Sequence, residues 1–284
     1  MKKVYGVIGD PIEHSLSPVM HNAAFEALGL DAIYLAFRVP PQNVGNAIRG
    51  AESLGFGGLN VTVPLKEVAM HFVRPDELSK RIGAINTVNF GATEGKPNAF
   101  NTDGIAAVRV LKENVGSLAK KNVLLLGAGG AAKAIAFYLR DEGTSLVILN
   151  RTVERARELA ARLRPPLGDT EIEWGGLEEL PTRIEDADIL INATSVGMYP
   201  NVEETLVTAD LMHGNLVVFD VVYNPVETRL LKEAKKAGVR RRIDGVKMLV
   251  YQGAEAFKIW TKISPPIDVM EKAVRERLGS KMKK

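Results

Sequence analysis

The chain has 284 residues, 46% apolar and 25% charged, which is enough to bury a sizeable core and to form two domains. Its 37 basic and 34 acidic residues nearly cancel, and the surplus sits in the tail KMKK and in Arg240, Arg241 and Arg242, too local for a nucleic-acid stripe. The absence of cysteine excludes disulfides, thiolate chemistry and Cys-based zinc sites, and no apolar run approaches the ~18 residues of a membrane span.

The N-terminus, MKKVYGVIGDP, enters a strand within about three residues and lacks the apolar stretch of a signal peptide, so a soluble cytoplasmic protein is expected. His14, His21, His71 and His213 show no ligand spacing, and no metal site is expected from them.

Strands and helices alternate along the chain, which predicts α/β layers with largely parallel sheets. The first series reads as strands near 3–9, 33–39, 56–63 and 84–90, with helices near 17–29, 42–55 and 64–72. The turn-rich stretch EGKPNAFNTDG interrupts it, and a helix near 104–114 leads to a second series. That series opens with NVLLLGAG (122–129), an apolar run typical of a strand buried on both faces. Helices near 130–142, 152–163 and 227–237 follow, among strands at SLVILN and near 171–174, 188–192, 216–222 and 240–243. Two last helices, near 246–261 and 267–278, flank the break SPP.

In GLNVTVPLKE, Val61 and Val63 point to one side of a strand while Asn60 and Thr62 point to the other. Pro64 ends the strand and suits a helix's first turn, which places Lys66 at the wrong end of the helix dipole for a cation. A lysine in that position needs a reason. Polar residues also cluster in other loops: Ser15 and Ser17 in SLSP, Asn86 and Thr87 in INT, Asn101 and Asp103 in NTDG. Taken singly, Ser17 and Asp103 read better as helix N-caps than as site residues. Together with Asn60 and Thr62, the set offers uncharged donors and acceptors, one cation and one carboxylate, which suits a small polyhydroxylated acid.

Gly127, Gly129 and Ala132 fall in G-x-G-x-x-A spacing between a strand and a helix, for the tight turn, the approach of backbone to a pyrophosphate and close helix packing. About twenty residues on, an NAD site would offer an acid to the ribose. Here Asn150, Arg151 and Thr152 stand in its place, with Arg155 a turn later, and planar cations favour the 2′-phosphate of NADP.

With these motifs in hand, the sequence resembles the shikimate dehydrogenase family. GDPIEHSLSPVMHNAAF, GLNVTVPLK, GAINTV, NTDG, GAGGAAKA, NRT, NATSVGM, DVVYNP and YQGAEAF follow one another between residues 9 and 257 in the family's order. The resemblance implies a two-domain α/β chain with a cleft. An α/β substrate domain (1–102) would be rejoined by the C-terminal helices (246–284), and a Rossmann-type NADP-binding domain would span 103–245. It implies reversible, NADP-dependent reduction of 3-dehydroshikimate to shikimate, with small-molecule partners and no nucleic acid or membrane; a homodimer is compatible with it.

Carried over by motif, Lys66 and Asp103 are the catalytic pair, and Ser15, Ser17, Asn60, Thr62, Asn86, Tyr223 and Gln252 join them in holding substrate. The division of the proton between Lys66 and Asp103 is a coupled problem left open by sequence. The glycine turn (Gly127, Ala128, Gly129, Gly130, Ala131), the residues Asn150, Arg151, Thr152 and Arg155, and Thr194, Ser195, Met198, Val221 and Gly245 are implied for the cofactor. Asn192 would line the nicotinamide side with them. Lys247 stands where the family usually has glycine, which puts the local helix start in question. A quinate-preferring relative is the nearest alternative enzyme, and a non-catalytic NADP-binding protein would explain 122–245 but not Lys66 with Asp103. Glutamyl-tRNA reductases share the glycine-turn half but need a cysteine.

Overall fold

The computed structural model describes residues 2–90, 95–163 and 171–281; the end of the basic tail, 282–284, lies outside the described residues. The chain forms two compact units, Met1–Asp103 with Leu249–Lys284, and Gly104–Met248. Among the described residues no helix is long and apolar enough to cross a membrane.

The first unit runs β1 (Lys3–Gly9), α1 (Ser17–Ala27), β2 (Ala32–Arg38), α2 (Val44–Ser53), β3 (Gly58–Val61), β4 (Arg74–Pro75), α3 (Glu77–Ile82), β5 (Thr87–Asn89) and β6 (Asn98–Phe100). Its sheet order is β2-β1-β3-β5-β6-β4. β1 pairs parallel with β2 and β3, but β5 is antiparallel to both β3 and β6. The expectation of a largely parallel sheet therefore fails here. Only residues 90–97 separate β5 from β6, fewer than the roughly dozen that a parallel crossover needs, so the chain turns back on itself.

The predicted helix near 64–72 is also absent: a turn through residues 63–67 leads to a 3-10 helix at Val68–Phe72. The Lys66 carbonyl accepts the Ile85 N–H at 3.0 Å, so it serves the neighbouring segment rather than a helical ladder. Lys66 is thus not in an α-helical first turn, and the dipole argument does not apply to it. Val63 is 61% exposed, and the apolar contact expected of it passes to fully buried Leu65.

α4 (Asp103–Val115) leads into the second unit, which holds β7 (Asn122–Leu126), α5 (Gly130–Asp141), β8 (Ser145–Leu149), α6 (Val153–Leu163), β9 (Ile172–Gly175) and α7 (Leu180–Arg183). It continues with β10 (Ile189–Asn192), β11 (Val217–Asp220), α8 (Arg229–Lys236) and β12 (Arg241–Ile243). All six strands are parallel in the order β12-β11-β10-β7-β8-β9, the doubly wound arrangement whose strand order reverses beside the first strand. Leu124, Leu126, Leu149, Leu190 and Val218 make a continuous apolar core, which is why these strands read as unbroken hydrophobic runs.

α9 (Val246–Thr261) and α10 (Ile267–Lys281) complete the chain, and most of α9 and all of α10 belong to the first unit. Trp260 of α9 donates Nε1–H to the Val88 carbonyl at 2.9 Å, over a position where Gly58 leaves room for the indole. Tyr5, His21, Phe25, Tyr34 and Phe257 pack around that indole as one aromatic cluster.

Candidate active site

In the first unit the strand ends and loops carry the predicted substrate residues other than Tyr223, which lies in the second unit. Asp103, the first residue of α4, and Lys66, in the turn after β3, form a direct ion pair, with side chains 5% and 14% exposed. A buried carboxylate needs its lone pairs occupied. Lys66 Nζ takes Oδ2, and the Asn86 side-chain amide donates to Oδ1 at 2.8 Å. Asp103 therefore uses its carboxylate on these two partners, and the capping reading of its side chain is not what the geometry shows.

Asn86 is itself held firmly. Its Oδ1 accepts the Thr102 N–H at 2.9 Å and the Thr87 hydroxyl at 2.9 Å. Its Nδ2 also lies within reach of Thr102 Oγ1 (2.9 Å) and Gln252 Oε1 (3.3 Å). The Thr102 hydroxyl in turn donates to the Gln252 carbonyl at 2.9 Å, tying α9 to the constellation. Asn60, on β3 and buried, donates to the Asn86 carbonyl at 2.9 Å and to Thr87 Oγ1 at 3.1 Å. Both of its amide protons are then committed, so Asn60 meets any further group only through Oδ1, as an acceptor.

Ser17 opens α1, but the N-cap is Leu16, without a side-chain capping bond, so the capping reading fails for Ser17 as well. Its N–H is taken by Ser15 Oγ at 3.3 Å. Thr62 follows β3 directly and is half-buried. Thr102 and Tyr34 are not among the site residues read from the sequence, and Thr87 is there only as a member of the INT cluster; the T in NTDG was the available signal for Thr102, while Tyr34 carried none.

In the second unit the glycine turn has the expected build. Gly127 has φ +112°, and a Cβ there would press on the Ala193 carbonyl and Thr194 Cγ2, both at 3.1 Å. Gly129 is the N-cap of α5 and offers no side-chain cap. Nothing lies within 4 Å of where its Cβ would stand. The first N–H groups of α5, on Gly130 and Ala131 beside buried Ala128, are left facing open space, which fits a pyrophosphate. Ala132, fully buried, lets α5 pack on the sheet.

After β8, Arg151, Thr152 and Arg155 are exposed, and neither guanidinium carries an ion pair among the described residues. Asn150 fixes this turn by donating to the Thr152 carbonyl at 2.9 Å. Two acids are close by in sequence, Glu154 in the first turn of α6 and Glu158 a turn later, both exposed. Two unneutralised guanidiniums with a hydroxyl suit a phosphate monoester better than a ribose diol.

The loops after β10 and β11 are joined by Asn192 and Asp220. Asn192 Oδ1 accepts from the Thr194 N–H and hydroxyl at 3.1 and 2.7 Å, and its Nδ2 donates to Asp220 Oδ1 at 3.0 Å. Asp220 also accepts from the Val222 N–H at 3.0 Å and the Thr228 hydroxyl at 2.6 Å. Burial lifts its carboxyl to about 6 despite these three donors, which pull the other way. This junction, absent from the sequence-based site, shapes the segments that carry Thr194, Ser195, Met198, Val221 and Tyr223.

Ser195 and Met198 are exposed, Val221 and Tyr223 half-buried. At Gly245 a Cβ would meet the backbone of Val221 and Val222 at 2.7 and 2.8 Å, so glycine is required there for packing alone. Lys247 does not disturb the helix start: α9 begins at Val246, whose N–H donates to Asp244 at 2.9 Å, and Lys247 pairs with Glu113 at 3.3 Å.

These features define an α/β protein in which a Rossmann-type nucleotide-binding unit accompanies a unit carrying a buried lysine–aspartate pair. Family models match in three stretches: a shikimate dehydrogenase substrate binding domain at 7–88, a shikimate/quinate 5-dehydrogenase domain at 109–232 and a shikimate 5′-dehydrogenase C-terminal domain at 245–275. The shikimate dehydrogenase (NADP+) of Methanosarcina acetivorans is 54% identical over 280 residues, 98% of this chain and 99% of the relative. A shikimate dehydrogenase crystallised with NADP+ is 45% identical with a TM-score of 0.91, over 98% of this chain and 96% of that one. The Thermus thermophilus shikimate 5-dehydrogenase, in complex with NADP(H) and shikimate, is 37% identical with a TM-score of 0.85, over 96% and 99% of the two chains. The chain belongs to the shikimate dehydrogenase family.

Proposed function

We propose that the protein catalyses the reversible, NADP-dependent reduction of 3-dehydroshikimate to shikimate, with Lys66 and Asp103 as the catalytic pair. The observation that carries this reading is the buried Lys66–Asp103 contact, gripped by Asn86 at the other carboxylate oxygen. Its support from relatives is the name and the bound NADP(H) and shikimate of the similar proteins.

When bound, the nicotinamide supplies or accepts the hydride at the carbon bearing the reacting oxygen. As that oxygen gains negative charge, the Lys66 ammonium stabilises it and delivers a proton from Nζ, giving the alcohol. Asp103 orients the ammonium and shares the proton that replaces the one lost; in the oxidative direction the hydroxyl proton passes to the same pair. Ser15, Ser17, Asn60, Thr62, Asn86, Tyr223 and Gln252 are assigned to the carboxylate and hydroxyl groups of the substrate. The first unit is assigned to the substrate and the second to NADP, through the glycine turn, Arg151, Thr152 and Arg155.

The proposed compartment is the cytoplasm. A homodimer is the proposed alternative to a monomer of 30.9 kDa, and light scattering separates the two directly. The function is tested by following nicotinamide absorbance with shikimate and quinate, each against NADP and NAD. The expected result is a strong preference for shikimate with NADP, since a polar site rejects an analogue that leaves its groups unpaired. Equal kcat/KM for the two acids would move the assignment to a dual-specificity enzyme.

A further inference from the structure

The hydroxyl of Tyr34 adjoins the substrate constellation at Asn60. Tyr34 is fully buried on β2 and donates to Asn60 Oδ1 at 2.7 Å. A phenol has one proton, and here it is committed to Asn60.

The chain of bonds continues in one direction. Asn60 Nδ2 donates to Thr87 Oγ1 at 3.1 Å, and the Thr87 hydroxyl donates to Asn86 Oδ1 at 2.9 Å. Asn86 Nδ2 then donates to Asp103 Oδ1 at 2.8 Å. From Tyr34 to Asp103, each side-chain amide and hydroxyl is bonded to the next. Burial holds the Tyr34 hydroxyl well above its usual pKa, so it stays a donor.

The Tyr34 ring is anchored independently of the substrate residues. His21 stacks on it at 4.3 Å and 9°. The Asn22 side chain brackets its backbone, accepting from the N–H at 2.8 Å and donating to the carbonyl at 2.9 Å. The ring therefore sets the hydroxyl, and the hydroxyl supplies the donor to Asn60 Oδ1.

We infer that Tyr34 is a positioning residue for the substrate, acting through Asn60; this rests on the proposed shikimate site. Without its hydroxyl, buried Asn60 Oδ1 loses its donor in the empty site, and the amide is held by its own two donated bonds alone. The loss falls on substrate affinity and not on the cofactor.

The test uses Tyr34→Phe, which keeps every ring contact, and Thr87→Val, which removes the next hydroxyl in the chain. Each is expected to raise KM for shikimate roughly tenfold while KM for NADP stays within about twofold. Tyr34→Phe and Thr87→Val should be non-additive in KM for shikimate. A purely structural role would lower the thermal midpoint without this split. KM for shikimate within about twofold of wild type in both variants, or an equal rise in both KM values, overturns the inference. A wild-type protein without shikimate turnover overturns the functional reading along with it; normal wild-type turnover with unchanged variants overturns the inference alone.

Discussion

Asn86 donates to Asp103 Oδ1 at 2.8 Å, so that Oδ2 is left to Lys66 alone. The amide cannot flip without losing the Thr102 N–H and the Thr87 hydroxyl on its oxygen. The lysine–aspartate pair is therefore oriented by a residue whose own geometry is fixed on every side.

Asn86→Ala removes that orientation and leaves a buried carboxylate oxygen without its donor. The cost of such an orphaned group is about 1–3 kcal/mol, or roughly ten- to a hundredfold. A loss of kcat/KM in that range is expected, together with a lower urea midpoint. An unchanged kcat/KM in a folded Asn86→Ala protein would show that Asp103 holds its place without help.

Arg151 is exposed, without an ion pair among the described residues, and set beside Thr152 and Arg155, the arrangement expected of a 2′-phosphate site. Arg151→Ala should lower kcat/KM with NADP by roughly ten- to a hundredfold, corresponding to about 1.5–3 kcal/mol for a charge-assisted hydrogen bond. The value with NAD should stay nearly constant, because NAD has no group there to lose. Equal losses with both cofactors would point to a damaged loop and not to phosphate recognition.

His21 is fully buried among aromatic rings, and neither ring nitrogen has a hydrogen-bond partner among the described residues. Burial lowers its pKa from 6.5 to about 3, so it is neutral in the folded state. Because the folded pKa is depressed, the unfolded chain binds a proton first as pH falls. The stability contributed by neutral His21 is complete above pH 6.5 and is lost as pH falls toward 3. At pH 5 the loss should be about 2 kcal/mol. His21→Leu, which cannot titrate, should lose correspondingly less between pH 7.5 and 5 in urea titrations; parallel losses in the two proteins would contradict the assignment.

Much of this arrangement was legible before the fold was seen, for identifiable reasons. NVLLLGAGG announces a buried strand and a glycine turn because both demands act on adjacent residues. The strand near 84–90 was legible and is β5, but β6 and the antiparallel pairing of both were not, since TVN and NAF are three-residue strands held by pairing and not by their own pattern. α3 was passed over, although Asp76 caps it by accepting the Ser79 N–H at 2.9 Å and Gly83 closes it at φ +77°. In that case the signal was present and short. Lys66 was read as misplaced in a helix, but the Lys66 carbonyl bonds Ile85, nineteen residues away, a contact no local pattern reveals. Asp220 and Tyr34 act through other side chains, so their importance is visible only once those partners are in place.

The central claim is that Lys66 acts with Asp103 on the charge that develops at the substrate oxygen, and kcat of Lys66→Ala, alone and combined with Asp103→Ala, tests it most directly. General acid–base participation is worth about 10²–10⁴-fold, so kcat should fall within that range with a smaller change in KM. The double variant should be scarcely slower than the worse single one, because residues acting as a unit fail together. Wild-type kcat in a folded Lys66→Ala protein would contradict the account.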